Sequence, residues 1–169
     1  GKSPYPEWYF SFGGKIAWKG FDLEVLFQGA AGMSVNILDN KNQVMAFVNN
    51  GNAYEIAKGA WAYYPEQGID TRATARYPRL TTQSNENNYQ TSSMWVKNAD
   101  YLKLRNLELG YNFNAMKLQR AGVDNLRVYL SAHNLLTFSG LLKHYNMDPE
   151  KISGYPTIKS YNVGVSITF

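Results

Sequence analysis

The chain alternates. In its last nine residues every second position is apolar: Tyr161, Val163, Val165, Ile167 and Phe169 share one side, and Asn162, Gly164, Ser166 and Thr168 share the other. A strand turns successive side chains to opposite faces, so this pattern predicts one greasy face backed by a small polar one. The same period of two recurs upstream. Phe10, Phe12, Ile16 and Trp18 oppose Ser11, Gly13 and Lys15; across a Lys19-Gly20 turn signal, Phe21, Leu23, Val25 and Phe27 oppose Asp22, Glu24 and Gln28, with Leu26 breaking the polar side. Leu107, Leu109, Tyr111 and Phe113 face away from Asn106, Glu108, Gly110 and Asn112, and Leu126, Val128, Leu130 and Ala132 from Arg127, Tyr129, Ser131 and His133. The predicted strands are about 8–18, 21–30, 100–113, 125–136 and 158–169.

The connections carry information too. They run short (19–20), long (31–99), short (114–124) and long (137–157). The asparagine-rich 31–99 stretch reads as one very long loop with local structure of its own, including a short helix at Gln43–Val48 or Ala53–Ala60; one helical turn is expected at Met116–Arg120. A two-sheet sandwich would turn the greasy faces inward. An outer-membrane barrel turns them to lipid, with tight periplasmic turns and long external loops. The short-long rhythm favours the barrel, as do strands near the roughly 9–11 residues that cross a bilayer at a tilt. The ending on Phe169 resembles the C-terminal recognition strand of outer-membrane proteins, which makes Tyr161, Val163, Val165, Ile167 and Phe169 a candidate barrel-assembly signal.

Composition narrows the alternatives. Among 169 residues, 15% are aromatic (Tyr 13, Phe 8, Trp 4), yet mean hydropathy is −0.41; alternating lipid-facing strands and wet loops average out in this way. No stretch approaches the roughly 18 apolar residues of a membrane helix. Gly1 to Pro6 contains no apolar signal region, so an export signal is expected outside this sequence. The net charge of +4 is scattered and matches no nucleic-acid motif, so no nucleic acid is expected as a partner. There is no cysteine, hence no disulfide or thiolate chemistry.

Candidate chemistry is sparse. His133 and His144 lack metal-ligand spacing, and Asp39, Lys41 and Gln43 fall short of a calcium loop. Asp148-Pro149-Glu150 reads as a proline-centred turn rather than a glycosidase carboxylate pair, and no phosphate loop or nucleophile elbow is present. No catalytic residue, metal site, cofactor or enzymatic activity is therefore expected. Trp61, Tyr63, Tyr64 and Trp95 are the candidate ligand or partner contacts, because flat apolar rings with polar edges suit sugars and protein surfaces alike. Leu23 to Gly29 matches the cleavage site of a picornaviral protease used to remove purification tags; the alternation runs through it unbroken and Ala30 replaces the site's proline, so it reads as native strand.

At the level of motifs the chain resembles the SusC/RagA-like TonB-dependent transporters of the Bacteroidota outer membrane. The resemblance rests on Tyr5-Pro6, Gly20-Phe21-Asp22-Leu23, Gln28-Gly29, Tyr77-Pro78-Arg79-Leu80, Asn87-Asn88 and Ser92-Ser93-Met94-Trp95-Val96. It is strongest at Tyr101 to Tyr111, and continues through Leu126-Arg127-Val128-Tyr129, Asn134-Leu135-Leu136-Thr137, Asp148-Pro149-Glu150 and Tyr155-Pro156 to the closing strand. It implies an all-β fold: residues 1–169 as the antiparallel C-terminal strands of a 22-stranded transmembrane barrel, incomplete in this chain, with long outer loops at 31–99 and 137–157. It also implies import of glycans or peptides across the cell outer membrane, contact with its lipid, a SusD-like surface lipoprotein as partner, energy from the TonB complex through an absent N-terminal part, and insertion by the barrel-assembly machinery. The alternative is a secreted, soluble all-β carbohydrate-binding module.

Overall fold

The computed structural model describes residues 3–40, 44–113 and 122–169. The long strands are β1 (Trp8–Trp18), β2 (Phe21–Ala31), β7 (Tyr101–Asn112), β8 (Asn125–Ser139) and β9 (Ser160–Thr168). Two short ladders lie between β2 and β7: β3 (Ser34–Asn36) pairs with β6 (Val96–Asn98), and β4 (Tyr63–Tyr64) with β5 (Ile69–Asp70). One short helix, α1 (Gly140–Tyr145), follows β8 among the described residues. The fold is all-β.

The long strands form a single antiparallel sheet in the order β1-β2-β7-β8-β9. The β1–β2 turn works because Lys19 and Gly20 both take positive φ, 48° and 90°, which matches the strand twist. The register puts the predicted apolar residues in rows on one face, for example Ile16, Leu23, Leu109, Leu130 and Val163. Asp22, Glu24, Glu108, Arg127, Tyr129 and Ser131 share the other face. The protease-like stretch lies inside β2, laddered to β1 on one side and β7 on the other, as part of the sheet.

Strand ends differ modestly from the sequence expectation. β8 runs to Ser139 rather than 136, because pairing resumes beyond an irregularity as Leu104↔Leu136, Lys103↔Thr137, Leu102↔Phe138 and Tyr101↔Ser139. β9 begins at Ser160, two residues later than expected. In the 31–99 segment, short 3-10 turns occupy Val48–Asn50 and Glu55–Gly59. The expected turn at Met116–Arg120, and the start of the helix expected at Gln43, lie outside the described residues.

The core sits at one end of the sheet instead of along a face. Met33, Ile37, Leu38, Val44, Trp95 and Ala99 from the first long segment pack with Leu141 and Met147 from the second, over Ala30 and Tyr101 of the strands. The two long connections therefore form one cap. Its base is stitched by β3–β6 pairing and by Asp100 Oδ1, which accepts from Gly32 N and Met33 N at 2.9 and 3.2 Å. A further bridge between the two segments comes from Asn40, whose Nδ2 donates to the Ile152 carbonyl.

Candidate functional site: a two-faced sheet and its cap

The apolar face has no cover. Val163, Val165 and Leu109 are 75%, 58% and 46% exposed, and Trp8, Phe12, Ile16, Trp18, Phe21 and Leu130 are exposed as well. A soluble sandwich would enclose this stripe, since large contiguous apolar patches are rare on monomeric soluble proteins. Aromatics meet at two levels of the stripe, Phe21 tilted against Tyr111 at 4.7 Å near the short turn and Phe12 stacked on Phe27 at 5.2 Å toward the cap, with mostly aliphatic residues between. An apolar band edged by aromatics is the pattern that an outer-membrane wall presents to lipid.

The polar face is built from charges that strand register brings together. Toward the short-turn end, Arg127 on β8 donates from Nε to Asp22 Oδ2 at 3.0 Å, and from Nη2 to Asp22 Oδ1 and to Glu108 Oε1. Asn112 Nδ2 also donates to Asp22 Oδ2, at 2.7 Å. The guanidinium reaches across β7 only because Gly110 has no side chain: a Cβ there would stand 2.5 Å from Arg127 Nη2 and 2.7 Å from Asp22 Oδ2. Gly164 plays the same part for the Tyr129 ring, which lies across it on the neighbouring strand. A second and more exposed pair, Lys15–Glu24 at 3.9 Å, sits opposite on β1 and β2 and is worth little by itself.

At the cap end the polar face of β7 holds the second long segment. Tyr101, Lys103 and Arg105 point to one side, and Arg105 is the extra residue of a bulge that shifts the register between Leu104 and Asn106. Lys103 is fully buried; its Nζ donates to Asp148 Oδ1 at 2.8 Å, to Glu150 Oε2 at 2.7 Å and, more weakly, to Thr157 Oγ1 at 3.4 Å. Tyr101 Oη donates to Glu150 Oε1 at 2.6 Å, and Arg105 Nη2 donates to the same oxygen. Arg105 also donates to Gln28 Oε1 and Asn134 Oδ1, at 2.7 and 2.8 Å, which pins the bulge to β2 and β8. Burial alone would raise the Asp148 and Glu150 carboxyls. That is the largest single effect at each, but Lys103 together with Thr157 and the Glu150 N–H at Asp148, and with Tyr101 and Arg105 at Glu150, outweighs it, so both are held below the usual carboxylate range. The Asp-Pro-Glu turn read from the sequence is present, with Asp148 Oδ1 accepting from Glu150 N. Its role as an ionic latch was not read. The signal was available: Tyr101, Lys103 and Arg105 recur at every second position, as one strand face requires.

The four contact candidates fall in two places. Trp61, Tyr63 and Tyr64 are 38%, 43% and 43% exposed on a small β4–β5 hairpin held by Thr71, whose N and Oγ1 bond to Ala62 and whose Oγ1 donates to Ala60 O. Arg72 stacks on Tyr63 at 3.8 Å. Trp95 is different: it is 1% exposed, stacked between Tyr77 and Tyr89 at 6.1 and 5.8 Å, with its Nε1–H given to Asn88 O at 2.8 Å. With no free face, Trp95 holds the cap together and cannot stack on a ligand in this arrangement. In the candidate assembly strand, Tyr161, Val163, Val165 and Ile167 lie on the exposed apolar face of β9, and Phe169 is exposed just past its end.

Comparison with known proteins meets this geometry. Two TonB-dependent receptors of Formosa agariphila are 24% and 27% identical to the chain over 98% and 99% of its length, and a third is 30% identical over 48%. Among solved structures, the RagAB peptide transporter matches 99% of the chain with a TM-score of 0.75 at 25% identity. In sequence and fold together, the chain is similar to TonB-dependent transporters of the SusC/RagA-like type. The RagAB peptide importer also matches in its closed-closed and open-open states, with TM-scores of 0.73 and 0.70 at 26% identity over 99% of the chain. The chain spans 17% of each of the first two receptors and 18% of each RagAB chain. No family model matches it.

Proposed function

We propose that this chain forms wall and outer rim of a TonB-dependent importer in the cell outer membrane, taking up peptides or, in the wider class, glycans. The observation that carries the reading is the uncovered apolar stripe on a sheet whose opposite face is charged. The likeness to a peptide transporter over 99% of the chain supports peptide as the first substrate class to test. In this reading residues 1–169 are the C-terminal part of a 22-stranded barrel, and the apolar face meets membrane lipid. The barrel-assembly machinery reads Tyr161, Val163, Val165, Ile167 and Phe169. The cap built from 31–99 and 137–157 faces outward, and the Trp61, Tyr63 and Tyr64 hairpin offers a surface to a SusD-like lipoprotein. The TonB complex supplies energy through a plug domain, and the chain does no covalent chemistry.

The test is made on the full-length protein in its own host. Wild-type cells should take up oligopeptides from a protein digest, and cells lacking the transporter, or lacking TonB, should not. The protein should fractionate with outer membranes and leave them only in detergent. Release by a high-salt wash alone, or uptake of both peptides and oligosaccharides unaffected by its deletion, overturns the reading.

A further inference from the structure

The latch folds the second long segment inward, over the polar face of the sheet, and leaves a hollow beside it. This cavity has a volume of about 370 Å³ and is walled by β8, the end of α1 and residues 146–159, with Asn40 reaching in from the other long segment. Its size lies at the small end of ligand sites, roughly 300–1,000 Å³. It opens on the polar face, because Thr137 shares that face with its partner Lys103 and Asn134 lines it while holding Arg105.

Charge bookkeeping gives the hollow its chemistry. Asp148 is its one acidic lining residue, and that carboxylate is already matched by Lys103 and by the N–H of Thr157. Lys151 and Lys159 also line it, and among the described residues neither has an ion-pair partner. The walls are fixed: Asn40 and Asn134 spend their Nδ2 groups on the Ile152 and Ile158 carbonyls. The side chains of Asn146 and Thr137 remain for an occupant. Two unmatched cations beside neutral hydrogen-bonding groups favour a ligand that is polar along its length and carries a carboxylate.

We propose that this hollow is a substrate subsite for a carboxylate-bearing oligomer, with Lys151 and Lys159 drawing the carboxylate and Asn146 and Thr137 meeting the neutral backbone. The proposal rests on the importer reading, which makes the polar face the lumen. The carboxylate can belong to an acidic peptide or to a uronate glycan, and the probes separate them. Purified full-length transporter is titrated calorimetrically with N-acetylated, C-amidated tetraglutamate, with tetragalacturonate, and with equally capped tetraalanine. One acidic probe should bind about tenfold more tightly than tetraalanine, the scale of two partly exposed ion pairs, and the preference should shrink with added salt. The responding probe assigns the source. The double variant Lys151→Gln/Lys159→Gln, at two exposed positions away from the cap core, should abolish the preference. Wild-type protein without an acidic preference, or a preference that survives the double substitution, overturns the subsite. Uptake of a peptide digest and of oligogalacturonate is measured alongside: uptake of either that still depends on the transporter leaves the importer reading standing when the subsite fails, and uptake of both indifferent to it sinks both.

Discussion

Substituting Lys103 by methionine should unlatch the second long segment without unfolding the sheet. The side chain is fully buried and bonds two carboxylates at 2.8 and 2.7 Å. Without it Asp148 keeps only the backbone N–H groups of Glu150 and Thr157, while Glu150 keeps Tyr101 and Arg105. Removing one partner of a buried pair costs about 3–5 kcal/mol, because a charge is stranded out of water. Here the Asp148 and Glu150 side chains retain 11% and 23% exposure and Arg105 still serves Glu150. The lower end, about 3 kcal/mol, is therefore the expectation. The loss falls on local opening, since β7 keeps its ladders to β2 and β8. At about 1.4 kcal/mol per tenfold, amides of 147–158 should exchange roughly a hundredfold faster in the full-length protein. The triple variant Lys103→Met/Asp148→Asn/Glu150→Gln removes the stranded charges and should recover at least about tenfold of that protection. Protection unchanged to within about twofold in the single variant, or a triple variant no better than the single, would refute the reasoning.

Three further outcomes follow from the same geometry. Asp148 and Glu150 titrate below their unfolded values, so the latch contributes its stability in full above the ordinary carboxylate range and loses it as pH falls through the lowered values. Protection of 147–158 relative to intrinsic exchange should thus be flat from neutral pH to about 5 and fall below about 4; a fall beginning near neutrality would point to a different group. Val163→Arg, on the exposed apolar face, should destabilise the barrel in lipid vesicles by about 2–4 kcal/mol, whereas Asn162→Arg on the polar face should cost far less. Equal costs in urea titration would contradict the assignment of faces. Gly110→Ala puts a methyl 2.5–2.7 Å from Arg127 and Asp22 and should cost about 1–3 kcal/mol by thermal denaturation, with Asp22→Ala in the same background relieving part of the clash.

How much of this could be read beforehand depends on the range of the interaction. Strand existence and facing were legible because alternation is local: Phe21, Leu23, Val25 and Phe27 declare their face whatever else the chain does. Strand ends were less so. β8 continues to Ser139 because the Arg105 bulge is matched across the ladder, and Asn134 takes a positive φ of 53° to absorb the slip. Nothing in 125–136 alone announces that. The cap was read as one loop and a separate second loop, but its core joins Ile37 and Trp95 to Leu141 and Met147. Trp95 shows the limit of composition: an aromatic in a polar loop suits a ligand or a core equally, and only its Tyr77 and Tyr89 neighbours, 18 and 6 residues away in sequence, decide for the core. Lys103 and Asp148, 45 residues apart, are the same case for charge.

In the importer reading proposed above, the faces also set where the sheet would sit in a bilayer. Trp18, Phe21 and Tyr111 make one aromatic row by register, and Phe10 with Phe138 marks another, eight residues away along β1. At about 3.3 Å per residue the rows stand about 26 Å apart along the strand, and a barrel tilt near 40° brings this to about 20 Å along the membrane normal. That falls slightly short of the roughly 25 Å apolar band of outer-membrane barrels, and Trp8, one strand row beyond Phe10, supplies the difference. The cap begins where the band ends, at Ala30 and Tyr101, and it is there that the first fully buried charge, Lys103, appears on the polar face. A backbone leaving the sheet inside the band would expose unpaired amides to lipid. The long segments therefore have to depart beyond the aromatic row, and the bulge, the latch and the shared core all lie at that level because it is where the chain first has water on both sides.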